Sequence, residues 1–548
     1  MWRSSAAVIV VCLAVGLQTV RSDNYFLGDD FGLVHHLHDL PPQRLLTYFV
    51  SDWTEGTYGM VLDELRPVLA LTYWLDAHLF GPVNAFGYHV TNLLLHILNA
   101  LLVLGIARSV APREPAFALL AASLFALMPS HAEPIAWISG RVDSLASLFY
   151  LGAFLCFVRF RLEHRRRWLW TALAIFSCGL FAKQSVVTFP ALIIAFDWLW
   201  PAERRPADQP GAENGGGRWF ARAWPHIPFI VVAALYLALR QVLFGNSVRE
   251  DLLTMDAFRE FILRQARYAG ALMPAADTAP RALQLMAEVL SIGILAVCAR
   301  WVFVRRHEYQ PARRRLLFFG VAWYAITIAP MIVTYVSARH LYITSAGLSV
   351  ALASLILPTY PVEGRRIRIR AWMAGTIIVL YAVASIWNTS EWVGVGTDSR
   401  RFASAVHRLL QSVPRGSTVF VRAPDRHRGH WFWSWATPFA LQPPFTDEDL
   451  YTTFRIVERP EAYCCPLDQW LAVRKDTLTA LITSPDPQQV TDIEFLPESP
   501  GAPRFSTRTV EPQALRQRIE AALEKPVESL VSAMTPEEGE QLIRLVLQ

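Results

Sequence analysis

Tyr88-His-Val-Thr-Asn-Leu-Leu-Leu-His-Ile-Leu-Asn-Ala-Leu-Leu-Val-Leu-Gly-Ile-Ala107 decides the class of fold. These 20 residues contain no Asp, Glu, Lys or Arg. As a helix they match a hydrocarbon core about 30 Å thick. Polar side chains gather toward the start of the run, at His89, Asn92 and His96. Comparable apolar stretches stand at about 5–20, 116–129, 144–158, 169–182, 186–200, 225–244, 281–304, 316–336, 342–358 and 371–387. Together they predict an α-helical multi-pass membrane protein with about 11 transmembrane helices. Runs shorter than ~20 residues must extend into flanking turns or stop short of the far side.

Beyond residue 390 the pattern changes to charged, proline-rich sequence without long apolar runs. Thr418–Arg422 and Ala480–Thr483 predict strands, and 512–524 and 536–547 predict amphipathic helices. The expected organisation is a membrane domain over 1–390 and a soluble α/β domain over 391–548. Pro67–Phe80 predicts an interfacial helix with Tyr73 and Trp74 at headgroup depth, and 245–280 a second surface helix. Residues 201–218, rich in proline and glycine, predict a connector.

The net charge of +5 is small, and its placement matters more than its size. Arginines cluster in alternate loops at 159–167, 204–222, 300–315 and 365–370, which by the positive-inside rule face the cytoplasm. Counting back puts the amino terminus inside and the tail outside. Met1–Ser22 also resembles a secretory signal, but an uncleaved first span agrees in parity with every later loop. The preference for arginine, with lysine only at 183, 475 and 525, suggests a bacterium, hence an inner membrane with a periplasmic tail. No basic stripe with interleaved aromatics points to nucleic acid. Six cysteines, including the adjacent Cys464 and Cys465, show neither a disulfide framework nor zinc spacing.

Polar residues at the outer face fall in a few places. They are Asp29-Asp30, Glu64-Leu-Arg66, the His89 group, His131-Ala-Glu133 with Arg141 and Asp143, Lys183, and Arg339-His-Leu-Tyr342. An ionisable group at membrane depth costs about 2.5–3.5 kcal/mol on insertion scales, so such a gathering is a candidate site.

These residues resemble a known family. Asp29-Asp30, Arg66-Pro67-Val68, Tyr88-His89-x-x-Asn92-x-x-x-His96 and the block Leu124–Asp143 are similar to the transmembrane O-mannosyltransferases that modify cadherins and to their bacterial relatives. Lys183 and Arg339-x-Leu341-Tyr342-x-x-Ser345-x-Gly347 extend the likeness, which covers about 23–350. The chain departs from the family pattern at Met128, Gln184, Val186, Ala338 and Thr344, and no internal repeat follows the membrane part where many relatives carry tetratricopeptide repeats. The resemblance implies a GT-C fold, a catalytic acid on a long first outer loop, and a sugar donor linked to a polyprenyl phosphate in the bilayer.

The residue types suit that chemistry. A carboxylate that takes the acceptor's proton in an inverting transfer is worth roughly 10²–10⁴ in rate, and Asp29 or Asp30 is the candidate. Asp29 is favoured over its neighbour, since adjacent side chains seldom point the same way. Arg66, Arg141, Lys183 and Arg339 are candidates to stabilise the departing phosphate. His89, Asn92, His131, Glu133 and Tyr342 are candidates to orient substrate. No glycine-rich nucleotide loop is present.

Each candidate has a plainer reading. The aspartates suit a helix start, His131 and Glu133 a local cap, and Arg339 a snorkelling side chain. Trp431, Trp433 and Trp435 suit a core better than a sugar platform, and His35, His36 and His38 a solvated loop better than a metal tract. No cofactor is called for; a divalent metal near His131 and Glu133 stays open, without a recognised spacing. The expected partners are the lipid-linked donor, the bilayer and an acceptor glycan, lipid or protein. The rival functions are a flippase for lipid-linked sugars, and a silent anchor displaying the tail as a binding module.

Overall fold

The computed structural model describes residues 2–57, 62–200, 223–248, 254–271, 282, 285, 286, 289, 311–335, 337–357, 365–433, 436–458 and 467–547. The expected linker at 201–218, Trp435, the Cys464–Cys465 pair and nearly all of the expected span at 281–304 lie outside these residues.

The chain is an integral membrane protein built mainly of helices. In order come α1 (Trp2–Gly16), α2 (Asp29–Leu37), α3 (Pro67–Phe80), α4 (Ala85–Val110), α5 (Pro115–Ala126), α6 (Ala132–Ala136) and α7 (Arg141–Glu163). They continue with α8 (Arg166–Leu180), α9 (Phe189–Leu199), α10 (Ile227–Phe244), α11 (Met255–Ala271), α12 (Pro311–Ile328), α13 (Leu341–Ile356) and α14 (Arg365–Leu410). Among the described residues, 6 helices are long and apolar enough to cross a membrane, or up to 7 if the pair bent by 51° around Leu127-Met128 counts as one span. Proline at the start of α3 fits a first helical turn, where its missing N–H leaves no bond unmade. α3 exposes Leu71, Leu75 and Leu79 along one face.

Aromatic side chains fill the bundle. Phe154, Phe157, Phe196, Phe319 and Trp323 form one buried cluster with the small residues of α5 and α13. A second cluster lies beyond it and joins the long loop after α1 to the tail.

The tail contains β1 (Thr418–Arg422), β2 (Arg426–His427), β3 (His430–Trp431), β4 (Arg455–Glu458), α15 (Leu467–Thr483), β5 (Gln488–Glu494), β6 (Arg504–Val510), α16 (Pro512–Leu523), α17 (Val527–Ala533) and α18 (Pro536–Leu547). β1 pairs in parallel with both β4 and β5, and β6 closes the sheet antiparallel to β5. Alternation along the strands splits their side chains between two layers. Phe420, Val457 and Val490 pack with Leu471, Leu478, Ile482 and Ile519 of the tail's own helices. Val419, Val421, Ile456 and Ile493 pack instead with Phe26, Phe31 and Phe402, from the segment after α1, α2 and α14.

One expectation needs correction. Ala480–Thr483 is the last turn of α15, not a strand. Leu471, Leu478, Leu481 and Ile482 are buried at helical spacing, and a four-residue apolar run does not by itself reveal its period. α14 runs without interruption for 46 residues, through the boundary expected near 390. Its Gly396 is forced by close approach, since a Cβ there would stand 2.0 Å from the Asn24 side chain. The C-terminal half of α14 is thus a wall for the segment between α1 and α2.

Candidate active site

The site starts from the segment between α1 and α2. Gly28 takes φ +49° and ψ −116°, a region that side-chain-bearing residues avoid. That turn sets Asp29 and Asp30 as the first two residues of α2, where the helix dipole favours negative charge. The two carboxylates diverge. Asp30 is buried, accepting from the backbone N–H of Leu27 at 2.9 Å and of Ser139 at 2.8 Å, and from the Ser139 hydroxyl. It ties α2 to the turn before α7. Asp29 is half-buried and lines a cavity of about 490 Å³. Burial pushes Asp29 up to about 6, with Arg339 and Arg66 opposing the rise and Glu64 adding to it. Burial raises Asp30 further, to about 7, against its hydrogen bonds to Ser139 and Leu27.

The same cavity is lined by Arg66, Lys183 and Arg339, with Glu64 and His340 beside them and an apolar wall that includes Leu33, Leu69 and Leu237. Each cation is held by a carboxylate. Arg66 lies 2.7 Å from Glu64, which also accepts from Trp53 Nε1 at 3.2 Å. Lys183 lies 2.5 Å from Asp143. Arg339 stands 3.7 Å from Asp143 and 3.9 Å from Glu133, over the face of Trp137 at 4.9 Å. Glu133 accepts from the Ser337 hydroxyl at 2.7 Å and the Arg339 backbone N–H at 3.2 Å, so it supports Arg339 from behind. Two buried guanidinium nitrogens, Arg66 Nε and Arg339 Nε, make no hydrogen bond.

The remaining sequence candidates do not line this cavity. Arg141 is fully buried, 2.5 Å from Asp76, and donates to Asn92 Oδ1 at 2.7 Å and to the Tyr88 carbonyl at 3.0 Å. Its donors fasten α3, α4 and α7 together, away from the cavity that Arg66, Lys183 and Arg339 line. Asn92 is taken up by Arg141 and the Trp137 carbonyl at 3.0 Å. His131 bonds Ser345 Oγ at 2.8 Å, and Tyr342 bonds His96 at 2.8 Å, in a buried knot between α4 and α13. His89 is buried, with both ring nitrogens unbonded. A polar group away from water must find partners within the protein, and most of these have done so. Their bonds run between helices, outside the cavity.

Sequence reading missed Arg240. It lines the cavity from α10 and donates to the carbonyls of Asp63 at 2.7 Å and Ser247 at 3.0 Å. The signal was present, since Arg240 is the one Asp, Glu, Lys or Arg in the run 227–244. Among the described residues no group of three His, Cys, Asp or Glu is arranged to hold a metal ion.

Over 194 residues the chain is 31% identical to protein O-mannosyl-transferase TMTC2 of Mus musculus, covering 34% of this chain and 23% of that protein. The chain resembles the transmembrane O-mannosyltransferases. A similar relation holds with TMTC1 of Mus musculus, 27% identical over 215 residues, or 37% of this chain and 22% of that one. The matched part is thus under a quarter of the length of either O-mannosyltransferase. No family model matches. Among solved structures, ArnT from Cupriavidus metallidurans, bound to undecaprenyl phosphate, aligns with TM-score 0.46 and 12% identity over 89% of this chain and 92% of that one. The Archaeoglobus fulgidus oligosaccharyltransferase aligns with TM-score 0.41 and 13% identity, over 77% and 60% of the two chains.

Proposed function

We propose that this chain is a membrane glycosyltransferase that moves a sugar from a polyprenyl-phosphate donor to an acceptor hydroxyl, with inversion at the anomeric carbon. The observation that carries the reading is the cavity in which Asp29 shares a wall with Arg66, Lys183 and Arg339. Asp29 takes the proton of the acceptor hydroxyl as its oxygen attacks the anomeric carbon. The bond from that carbon to the phosphate oxygen breaks, and its electron pair leaves with the phosphate. Arg66, Lys183 and Arg339 receive the growing charge, and their carboxylate partners keep them aimed before it arrives. The apolar wall at Leu33, Leu69 and Leu237 suits the lipid end of the donor.

The names of the relatives make mannose the first sugar to test. We extend the reading to about 11 spans in a GT-C arrangement, a membrane domain over 1–390 and a tail over 391–548. The amino terminus lies in the cytoplasm and the tail in the periplasm of a bacterium. A flippase would need charged groups reaching the bilayer midplane as a path; here Arg66, Lys183 and Arg339 line a single cavity together with Asp29. A silent anchor would have no reason to keep Asp29 open to a cation-lined cavity.

The test is transfer from radiolabelled polyprenyl-phosphate sugars to an envelope extract in reconstituted liposomes, comparing wild type with Asp29→Asn and Asp30→Asn. Loss of transfer in a folded Asp29→Asn protein supports the reading; full transfer in that variant removes Asp29 from the mechanism.

A further inference from the structure

The tail grips the segment that delivers Asp29. Three backbone groups just ahead of it are each claimed from outside the segment. The Phe26 carbonyl accepts from Ser399 Oγ at 2.8 Å, and that hydroxyl in turn accepts from Trp433 Nε1 at 2.9 Å. The Leu27 carbonyl accepts from Trp137 Nε1 at 3.1 Å. The Gly28 N–H donates to the Phe432 carbonyl at 2.6 Å.

α2 itself leans on the same surface. Phe31 meets Trp433 edge-on at 5.3 Å and Phe445 at 4.9 Å, and His35 Nδ1 lies 2.7 Å from the Pro443 carbonyl. α2 therefore has the cavity on one side and the tail on the other. Ser399, Trp433 and Phe432 are all buried or turned inward, so these contacts are part of the core and not a surface brush.

We infer that the tail is a working part of the transfer site, with Ser399 and Trp433 acting as positioning residues that hold the first turn of α2, and so Asp29, against the cavity. The inference rests on the assignment of Asp29 as the base. Neither residue reaches the reacting atoms; they act through the Phe26 carbonyl and the Phe31 ring. Displacing a catalytic group by about 1 Å costs on the order of 10²-fold in rate. Loosening the segment also opens Asp29 to water, which returns its carboxyl toward the ordinary range.

The experiment uses the full chain in liposomes with radiolabelled polyprenyl-phosphate mannose and envelope extract, in Ser399→Ala, Ser399→Thr and Trp433→Phe. Trp433→Phe keeps a ring against Phe31 and removes the N–H donor, and turnover is read per folded protein by size-exclusion chromatography. Ser399→Ala and Trp433→Phe are expected to lower kcat by roughly ten- to a hundredfold, with donor KM near wild type and the acid limb of kcat moved to lower pH. Ser399→Thr, which keeps the hydroxyl, is expected to restore both. Wild-type kcat in Ser399→Ala and Trp433→Phe, or a fall in kcat with an unmoved acid limb, overturns the inference. If Asp29→Asn abolishes transfer in the same assay, only the tail's role falls; if Asp29→Asn transfers normally, the base assignment falls and the tail's role with it.

Discussion

The Asp143 carboxylate touches the Lys183 ammonium at 2.5 Å while its other oxygen faces Arg339 at 3.7 Å. One acid on α7 thus aligns two cations that the chain supplies from positions far apart in sequence. Asp143→Asn is expected to destabilise the protein by about 3–5 kcal/mol, because it strands buried positive charge. Thermal melting in detergent checks this. Lys183→Met removes the cation instead, and transfer is expected to drop by roughly 10²–10³.

Asp29 and Asp30 separate by assay. Asp29→Asn is expected to lose about 10²–10⁴ in transfer with melting near wild type, since a general base has been removed. Asp30→Asn is expected to show the opposite balance. It disturbs the bonds from Leu27 and Ser139, at a cost of about 1–3 kcal/mol in stability.

The pH dependence carries a definite sign. Asp29 accepts a proton only when ionised, so kcat is expected to fall as pH drops through about 6. Stability runs the other way. Burial raises Asp30 to about 7 in the folded state, against about 3.9 when unfolded. The folded chain therefore holds the Asp30 proton more tightly than the unfolded chain does. That contribution is full below about pH 4 and is lost as pH rises through about 7. Melting profiles of wild type and Asp30→Asn across this window should differ in slope.

Arg141 tests the distinction between site and scaffold. Arg141→Met leaves Asp76 buried without its ion-pair partner, and a loss of about 3–5 kcal/mol in stability is expected. Donor KM per folded enzyme should stay at its wild-type value. A large rise in KM without loss of stability would return Arg141 to the cavity.

Gly28→Ala probes the turn. With φ +49° and ψ −116° at this position, a side chain is expected to cost about 1–3 kcal/mol in strain. Space is not the obstacle, because the nearest atoms to an added Cβ lie at 3.5 Å. Activity should fall more than stability does, as the turn aims Asp29.

Much of this was legible in sequence for a physical reason. Water-free surroundings make long apolar runs obligatory, so the class of protein and the helix at Pro67–Phe80 could be read directly. The first outer loop, Lys183 and Arg339 stood out because charge at such positions needs a cause. The same logic could not sort them. Arg141, His131 and Tyr342 are as anomalous in an apolar chain as Lys183, yet they meet other side chains or the backbone across helix contacts. Whether a polar side chain faces a cavity or a neighbour depends on tertiary packing, which a linear pattern does not encode. Arg240 was overlooked because a lone arginine near a span end also suits snorkelling. Gly396 and Ser399 carried no signal, since their importance lies in the loop that packs on them.

α14 is a single rod of 46 residues, about 69 Å long at 1.5 Å per residue. One end packs against the side of the bundle through Ala374, Ile377, Ile378 and Tyr381, and the other holds both the tail's sheet and the strand of chain ahead of Asp29. Such a part cannot be exchanged as a cassette. A chimera that grafts a foreign tail after residue 410 would inherit this rod but lose Phe432, Trp433 and Phe445. Grafting at residue 390 would discard Gly396 and Ser399 as well. Swapping tails between homologous chains should therefore succeed only when residues 22–31 travel with them, so this stretch and the tail are bound to change together.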